Sequence, residues 1–228
     1  MMKKVKKKIR LIIILLMTAA LAAAVITAAW HKGLFLPRWI IWQEKTLSFQ
    51  ENDPVTEKTT GFQGNDSTPE KTTGFQENDP AQEKVPGVQK NDPTPEKITL
   101  WKHRIQVYEN GDIVWESPGY ARVQDFLWCD IDHDDVGELL ILCWRIGRYG
   151  DAKPFWVEKD EHTWSQHIYI YDWDFGGIYP AWMASDIGMD VCEWQFDPKK
   201  RLVITETSGR KTGWDWVSWG LSLIWEEK

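Results

Sequence analysis

Residues 123–145 read Val-Gln-Asp-Phe-Leu-Trp-Cys-Asp-Ile-Asp-His-Asp-Asp-Val-Gly-Glu-Leu-Leu-Ile-Leu-Cys-Trp-Arg. Two short apolar runs, Val123–Cys129 and Glu138–Arg145, flank a polar loop, which is the pattern of two strands joined by a connection. The loop, Asp130–Glu138, holds five carboxylates in nine residues: Asp130, Asp132, Asp134, Asp135 and Glu138. Confined together they repel one another, and a hard cation removes that cost. Calcium accepts six to eight oxygens in flexible geometry. Alternation at 130, 132 and 134 turns three carboxylates to one side, and the Val136 carbonyl and Glu138 carboxylate can close the shell. An EF-hand is excluded, because it needs a twelve-residue loop between helices.

Outward from this hairpin the same signals repeat. Ile105–Tyr108, Ile113–Glu116, His167–Tyr171, Val191–Phe196, Leu202–Thr205 and Val217–Trp225 read as further strands. Asn110-Gly111-Asp112, Ser117-Pro118-Gly119, Gly176-Gly177, Asp197-Pro198 and Ser208-Gly209 read as the turns between them. No segment after Thr99 sustains a helical period, so residues 99–228 are expected to be all-β. Thirteen of the 16 Trp fall here. Most sit in alternating runs, where aromatic residues fill sheet-on-sheet cores. Trp173 and Trp214 lie among polar residues and are the expected ligand-contact positions.

The pattern Asp130-x-Asp132-x-Asp134-x-x-x-Glu138-Leu139-Leu140 resembles the calcium loop of FG-GAP/VCBS-type repeats, which form β-propeller blades such as those of the integrin α-chain head. The resemblance implies side-chain ligation by Asp130, Asp132, Asp134 and Glu138, carbonyl ligation by Val136, and propeller-blade-like antiparallel sheets. Asp135 departs from it, since the family usually has Gly after the third Asp. Repetition is a further implication. Ile105–Tyr108 parallels Ile168–Tyr171, Val123–Asp132 parallels Ile187–Asp197, and Glu138–Ile141 parallels Arg201–Ile204. The second loop, Phe196-Asp197-Pro198-Lys199-Lys200, lacks the acids and is expected not to bind metal. About two to three blade units fit the length, fewer than the four or more a closed propeller needs. The run ends at Glu226-Glu227-Lys228 without a further strand, which points to a truncated propeller, an open sheet pair or completion by a second protomer.

The other end of the chain is of a different kind. Residues 1–10 carry six Lys/Arg, and residues 11–30 carry no charge. Twenty helical residues span about 30 Å, the thickness of a bilayer core. Retention of the cationic end in the cytoplasm predicts a single-pass plasma-membrane anchor with the C-terminal domain outside. Cleavage near the small residues Ala22–Ala24 or Ala28–Ala29 would instead release it. Residues 31–48, with Leu34, Phe35, Leu36, Trp39, Ile40, Ile41 and Trp42, read as an interfacial collar on the outer leaflet. A tether docking on the globular domain fits the same residues.

Residues 49–100 divide into four thirteen-residue units, FQENDPVTEKTTG, FQGNDSTPEKTTG, FQENDPAQEKVPG and VQKNDPTPEKITL. Each offers one Phe or Val, too little apolar surface to offset the entropy of ordering thirteen residues. Residues 49–98 are therefore expected to be a disordered, Pro-punctuated spacer. Charge follows these divisions: net +8 over 1–48, −5 over 49–98 and −10 over 99–228, giving the net charge of −7. No folded part is basic, which excludes a nucleic-acid binder that tracks phosphates.

Catalytic patterns are weak. His162 and His167 flank Thr-Trp-Ser-Gln, which is not a metalloprotease spacing, and no nucleophile elbow or phosphate-binding loop occurs. His133 reads as a solvent-facing filler of the acidic loop. Cys129 and Cys143 flank that loop as potential cross-strand neighbours, and with Cys192 they read more simply as buried thiols. The expectation is a membrane-anchored, extracytoplasmic binding module for an extracellular protein or a glycan, stabilised by calcium. A cell-envelope carbohydrate-active enzyme and a non-functional remnant of a longer propeller protein are the alternatives.

Overall fold

The computed structural model describes residues 2–49, 58–59, 94–149, 153–174 and 177–227. The spacer expected at 49–98 falls for the most part on residues 50–57 and 60–93, which lie outside the described residues. Two compact units are present, Met1–Arg38 and Trp39–Lys228.

The first unit is one helix, α1 (Met2–His31). Its stretch Ile12–His31 is long and apolar enough to cross a membrane. Ile12–Met17, Leu21, Val25 and Ile26 are all exposed, so no polar face sets this helix apart as a soluble, amphipathic one. Its two hydroxyls are satisfied within the helix, Thr18 Oγ1 donating to the Leu15 carbonyl and Thr27 Oγ1 to that of Ala23.

The second unit is all-β, in three antiparallel sheets. The first contains β1 (Lys45–Ser48), β2 (Lys58–Thr59), β3 (Lys97–Trp101), β4 (Arg104–Glu109) and β5 (Asp112–Glu116), in the order β2-β1-β3-β4-β5. The second is the meander β6 (Arg122–Cys129), β7 (Glu138–Ile146), β8 (Trp164–Asp174) and β9 (Gly177–Met183). The third is the meander β10 (Val191–Phe196), β11 (Leu202–Glu206), β12 (Lys211–Val217) and β13 (Gly220–Glu227).

The middle sheet is buried on both faces. Leu139, Ile141 and Cys143 of β7 pack with Ile98, Leu100, Ile105 and Val107 of the first sheet. Leu140 and Leu142 point the other way, against Val191, Trp194, Leu202 and Ile204 of the third. The period-two geometry of a strand makes one apolar run serve two cores, and this is why β7 carries no polar residue between Glu138 and Arg145. At one corner of the second interface, Gln124, Trp144, Gln166 and Val191 form a closed polar knot. Trp144 Nε1 and Gln166 Nε2 both donate to Gln124 Oε1, at 2.9 and 2.8 Å. The Val191 N–H donates to Gln166 Oε1 at 2.8 Å, and the Val191 carbonyl accepts from Gln166 Nε2 at 2.9 Å.

Four expectations are corrected. The collar expected at 31–48 divides at Trp39: from there the chain belongs to the β unit. Trp39 stacks edge-on to Trp144, Trp42 to His103, Gln43 donates to the Gln124 carbonyl, and β1 pairs with β3. Burial of Ile40 and Leu47 in protein explains the apolar residues that tempted an interfacial reading. The boundaries at 49 and 98 also move. Phe49 packs on Trp128 at 5.2 Å, and Lys97 and Ile98 already lie in β3. Val217–Trp225 is not one strand: Val217 ends β12, Ser218 takes a φ of 60° and turns the chain, and Gly220 opens β13, while residues 211–216 of β12 fall outside every expected strand. Cys129 and Cys143 are not neighbours: their cross-strand partners are Glu138 and Val123, at opposite ends of the β6–β7 pair, and they enter opposite cores. All three cysteines are free thiols.

A candidate cation site at the β6–β7 loop

β6 ends at Cys129 and β7 begins at Glu138, so register pairing of these two residues closes the acidic loop into a hairpin end. Asp130, Asp132 and Glu138 each bring one carboxylate oxygen within 4.8 Å of the others. Asp130 is fully buried and Glu138 is 3% exposed. The loop is held by its own acids acting as turn formers: the Asp134 N–H donates to Asp132 Oδ1 and the Val136 N–H to Asp134 Oδ1. His133 and Asp135 take left-handed φ values of 69° and 70°. Gly137 is required sterically, because a Cβ there would lie 2.2 Å from Nε1 of the buried Trp128 indole.

The electrostatics are those of crowded, desolvated acids. Burial, reinforced by the charges of Asp132, Asp134 and Asp130, pushes the Glu138 carboxyl up to about 9, against the opposing hydrogen bond from the Ile131 N–H. Asp132 is raised too, by burial and then by Asp134. The field reaches β8, where Asp172 is raised by burial and by Asp132 and Asp134. Asp130 Oδ1 is buried without a hydrogen-bond partner among the described residues. Hard oxygen donors and an orphaned buried carboxylate oxygen together could hold a hard cation.

Of the five residues expected as ligands, Asp130, Asp132 and Glu138 come together. Asp134 lies exposed at the loop tip with one oxygen committed to the Val136 N–H, and Val136 is partly exposed in the same turn. Asp172 was not anticipated, and neither were two residues of the third sheet. Lys200, in the β10–β11 turn, places its ammonium 2.6 Å from Asp130 Oδ2 and 3.5 Å from Asp135 Oδ1. His133 Nε2 lies 2.7 Å from Asp215 Oδ1 of β12, so it is an inter-sheet contact and not a filler. Lys200 comes from the turn that matches the acidic loop in the internal repeat. Its loss of acids was legible in the sequence, but its reach to the neighbouring sheet was not.

Trp173 and Trp214 are corrected as ligand contacts. Neither lies in a loop. Trp173 is 4% exposed in β8, with Asp172 and Asp174 turned outward on either side of it. Trp214 packs against the second core and donates its Nε1 hydrogen to Thr212 Oγ1. Among the described residues of the β unit, the exposed aromatics are instead Trp101, Tyr120, Phe155, Trp156, Tyr179 and Trp219. His167 is fully buried, with Nε2 2.9 Å from Ser165 Oγ and Nδ1 3.1 Å from the Ala184 carbonyl. Burial holds this imidazole below its usual pKa, and with both ring nitrogens engaged it is a structural link between β8 and the chain beyond β9.

Compared with known proteins, the chain matches no family model, no curated protein and no solved structure.

Proposed function

We propose that the chain is a membrane-anchored, extracytoplasmic binding module whose β unit consists of three propeller-blade-like antiparallel sheets stabilised by calcium at the β6–β7 loop. The anchor is supported by the exposed apolar stretch Ile12–His31 behind a cationic end. Blade character is supported by three successive antiparallel sheets stacked through two cores. Equivalent strands of the internal sequence repeat also take equivalent places, β4 with β8, β6 with β10, and β7 with β11. The observation that carries calcium is the triad of the buried Asp130 and Glu138 and the half-buried Asp132, with the unpartnered Asp130 Oδ1. Exposed aromatics of the β unit, among them Trp101, Phe155, Trp156 and Trp219, offer contact surface for a protein or glycan ligand.

In the calcium-bound state Asp130, Asp132 and Glu138 would hold the ion, which supplies the positive charge that keeps all three carboxylates ionised. Its role is structural: it fixes the hairpin end without entering a reaction. The test is thermal unfolding of the full chain in detergent micelles, with calcium titrated into the millimolar range typical of extracellular modules. The melting temperature is expected to rise by several degrees in the native protein and to stay flat in Asp130→Asn. An unchanged native melting temperature rejects the calcium assignment.

A further inference from the structure

Resting on that metal reading, we propose that Lys200 is a tethered competitor for the site: its ammonium neutralises Asp130 in the metal-free protein and is displaced when calcium binds. The two partners differ in freedom. The Asp130 side chain is fully buried and cannot turn to water, whereas the Lys200 side chain is 34% exposed and can. A buried carboxylate must be paired, and the ammonium at 2.6 Å does this for one oxygen only. The other, Oδ1, remains without a partner beside Asp132 and Glu138. A cation with six to eight oxygen sites would use what the ammonium leaves. Two positive charges on one partly desolvated carboxylate repel strongly, so the mobile one leaves.

The surroundings equip Lys200 for this exchange. Its own turn does not claim its charge. Asp197, the acid of that turn, is engaged by the Arg201 guanidinium at 2.9 Å and by the Lys199 and Arg201 N–H groups. The Lys200 N–H donates to the Asp197 carbonyl, fixing the root of the side chain in a left-handed conformation with φ 58°. Asp135, the residue at which the loop departs from the calcium-loop pattern, is 55% exposed and lies 3.5 Å from the ammonium. It is outside the triad of Asp130, Asp132 and Glu138 and offers the displaced lysine a second carboxylate in water. The His133–Asp215 contact holds the acidic loop to β12 independently, so the exchange releases one tie between that loop and the third sheet and leaves another in place.

Calorimetric titration of calcium into the full chain in micelles tests this, comparing the native protein with Lys200→Met, Lys200→Gln, Lys200→Arg and Asp130→Asn. Lys200→Met is expected to bind calcium about tenfold more tightly or better. Lys200→Gln, which keeps a donor for Asp130 without the charge, should gain similarly and serves if Lys200→Met does not fold without metal. Lys200→Arg should stay near the native affinity, and Asp130→Asn should not bind. Before calcium is added, Lys200→Met should melt below the native protein, and calcium should raise its melting temperature by more. If the uncharged variants bind as the native protein does while Asp130→Asn does not bind, competition is overturned and the metal site stands. If Lys200→Met, Lys200→Gln and the native protein all fail to take up calcium, the metal reading falls and the competitor with it.

Discussion

A single hydrogen on Gly137 separates the acidic loop from the first core. The Trp128 indole occupies the space a side chain would need, and the same arrangement recurs twice, Trp225 over Gly213 and Trp182 over Gly220. Gly137→Ala forces the indole, or the hairpin end, to move. A loss of about 1–3 kcal/mol is expected from such overpacking, read as a lower denaturant midpoint with unchanged slope. Glu138 gives a pH signature. Its folded pKa, about 9, lies above the unfolded value of 4.5, so the folded state binds the proton more tightly. The metal-free protein should be most stable below about pH 4.5 as far as this group is concerned, and should lose that contribution as pH rises from there toward 9. Melting curves across this window should show the decline, and Glu138→Gln should flatten it. What the sequence disclosed at this scale was the alternation at 130 and 132 and the acid that opens β7, because neighbours in a strand and its turn are local. Lys200 and Asp215 stayed hidden, because residues of another sheet meet the loop only through the stacking of sheets.

At the scale of elements, the apolar alternation identified β4, β5, β6, β7, β10 and β11 nearly to their ends, and of β8 the central His167–Tyr171. The failures have physical causes. β9 carries Pro180, which an edge strand tolerates at a bulge and a central strand does not, and the register shifts there opposite Ile170 and Tyr171. The expected start at Val217 overran the turn before β13 because Ser218 turns the chain without a Gly, and the body of β12, residues 211–216, was missed. β3 was concealed in the last thirteen-residue unit. Where earlier units read Glu-Lys-Thr-Thr-Gly or Glu-Lys-Val-Pro-Gly, the fourth reads Glu96-Lys97-Ile98-Thr99-Leu100. Ile98 and Leu100 are fully or almost fully buried, so the departure from the repeat is where the core begins. Gln166 decides how the second and third sheets meet. Gln166→Ala leaves the Val191 N–H without its partner and the Gln124 oxygen with one donor fewer. About 1–3 kcal/mol should be lost, again read by denaturant unfolding.

The whole molecule couples a helix suited to a bilayer with a β unit that starts at Trp39, before the repeats and not after them. Trp39, Ile40, Leu47 and the Lys45–Asp125 pair at 2.9 Å attach this leading segment to the sheets. Asp125 also accepts from Trp194 Nε1 at 2.7 Å, so one carboxylate binds the leading segment, the second sheet and the third. Deletion of residues 1–38 should move the protein from the membrane to the soluble fraction and leave its unfolding midpoint unchanged. Deletion of residues 1–48 should lower that midpoint markedly, since it exposes Ile98 and leaves Asp125 without Lys45. Fractionation and thermal unfolding of the two forms check this. β1 and β3 are neighbours in one sheet although residues 49–96 separate them in the sequence.

The double-sided burial of β7 carries a liability that the folded state conceals. Leu139–Trp144 is an uninterrupted apolar run, and until both covering sheets have formed it is the stretch best suited to pair with its copy on another chain. Charges guard it at each end: the carboxylates of the acidic loop precede it, and Arg145 and Arg148 follow. In the unfolded chain those acids therefore act as gatekeepers against self-association, a task they discharge before the fold has brought them together.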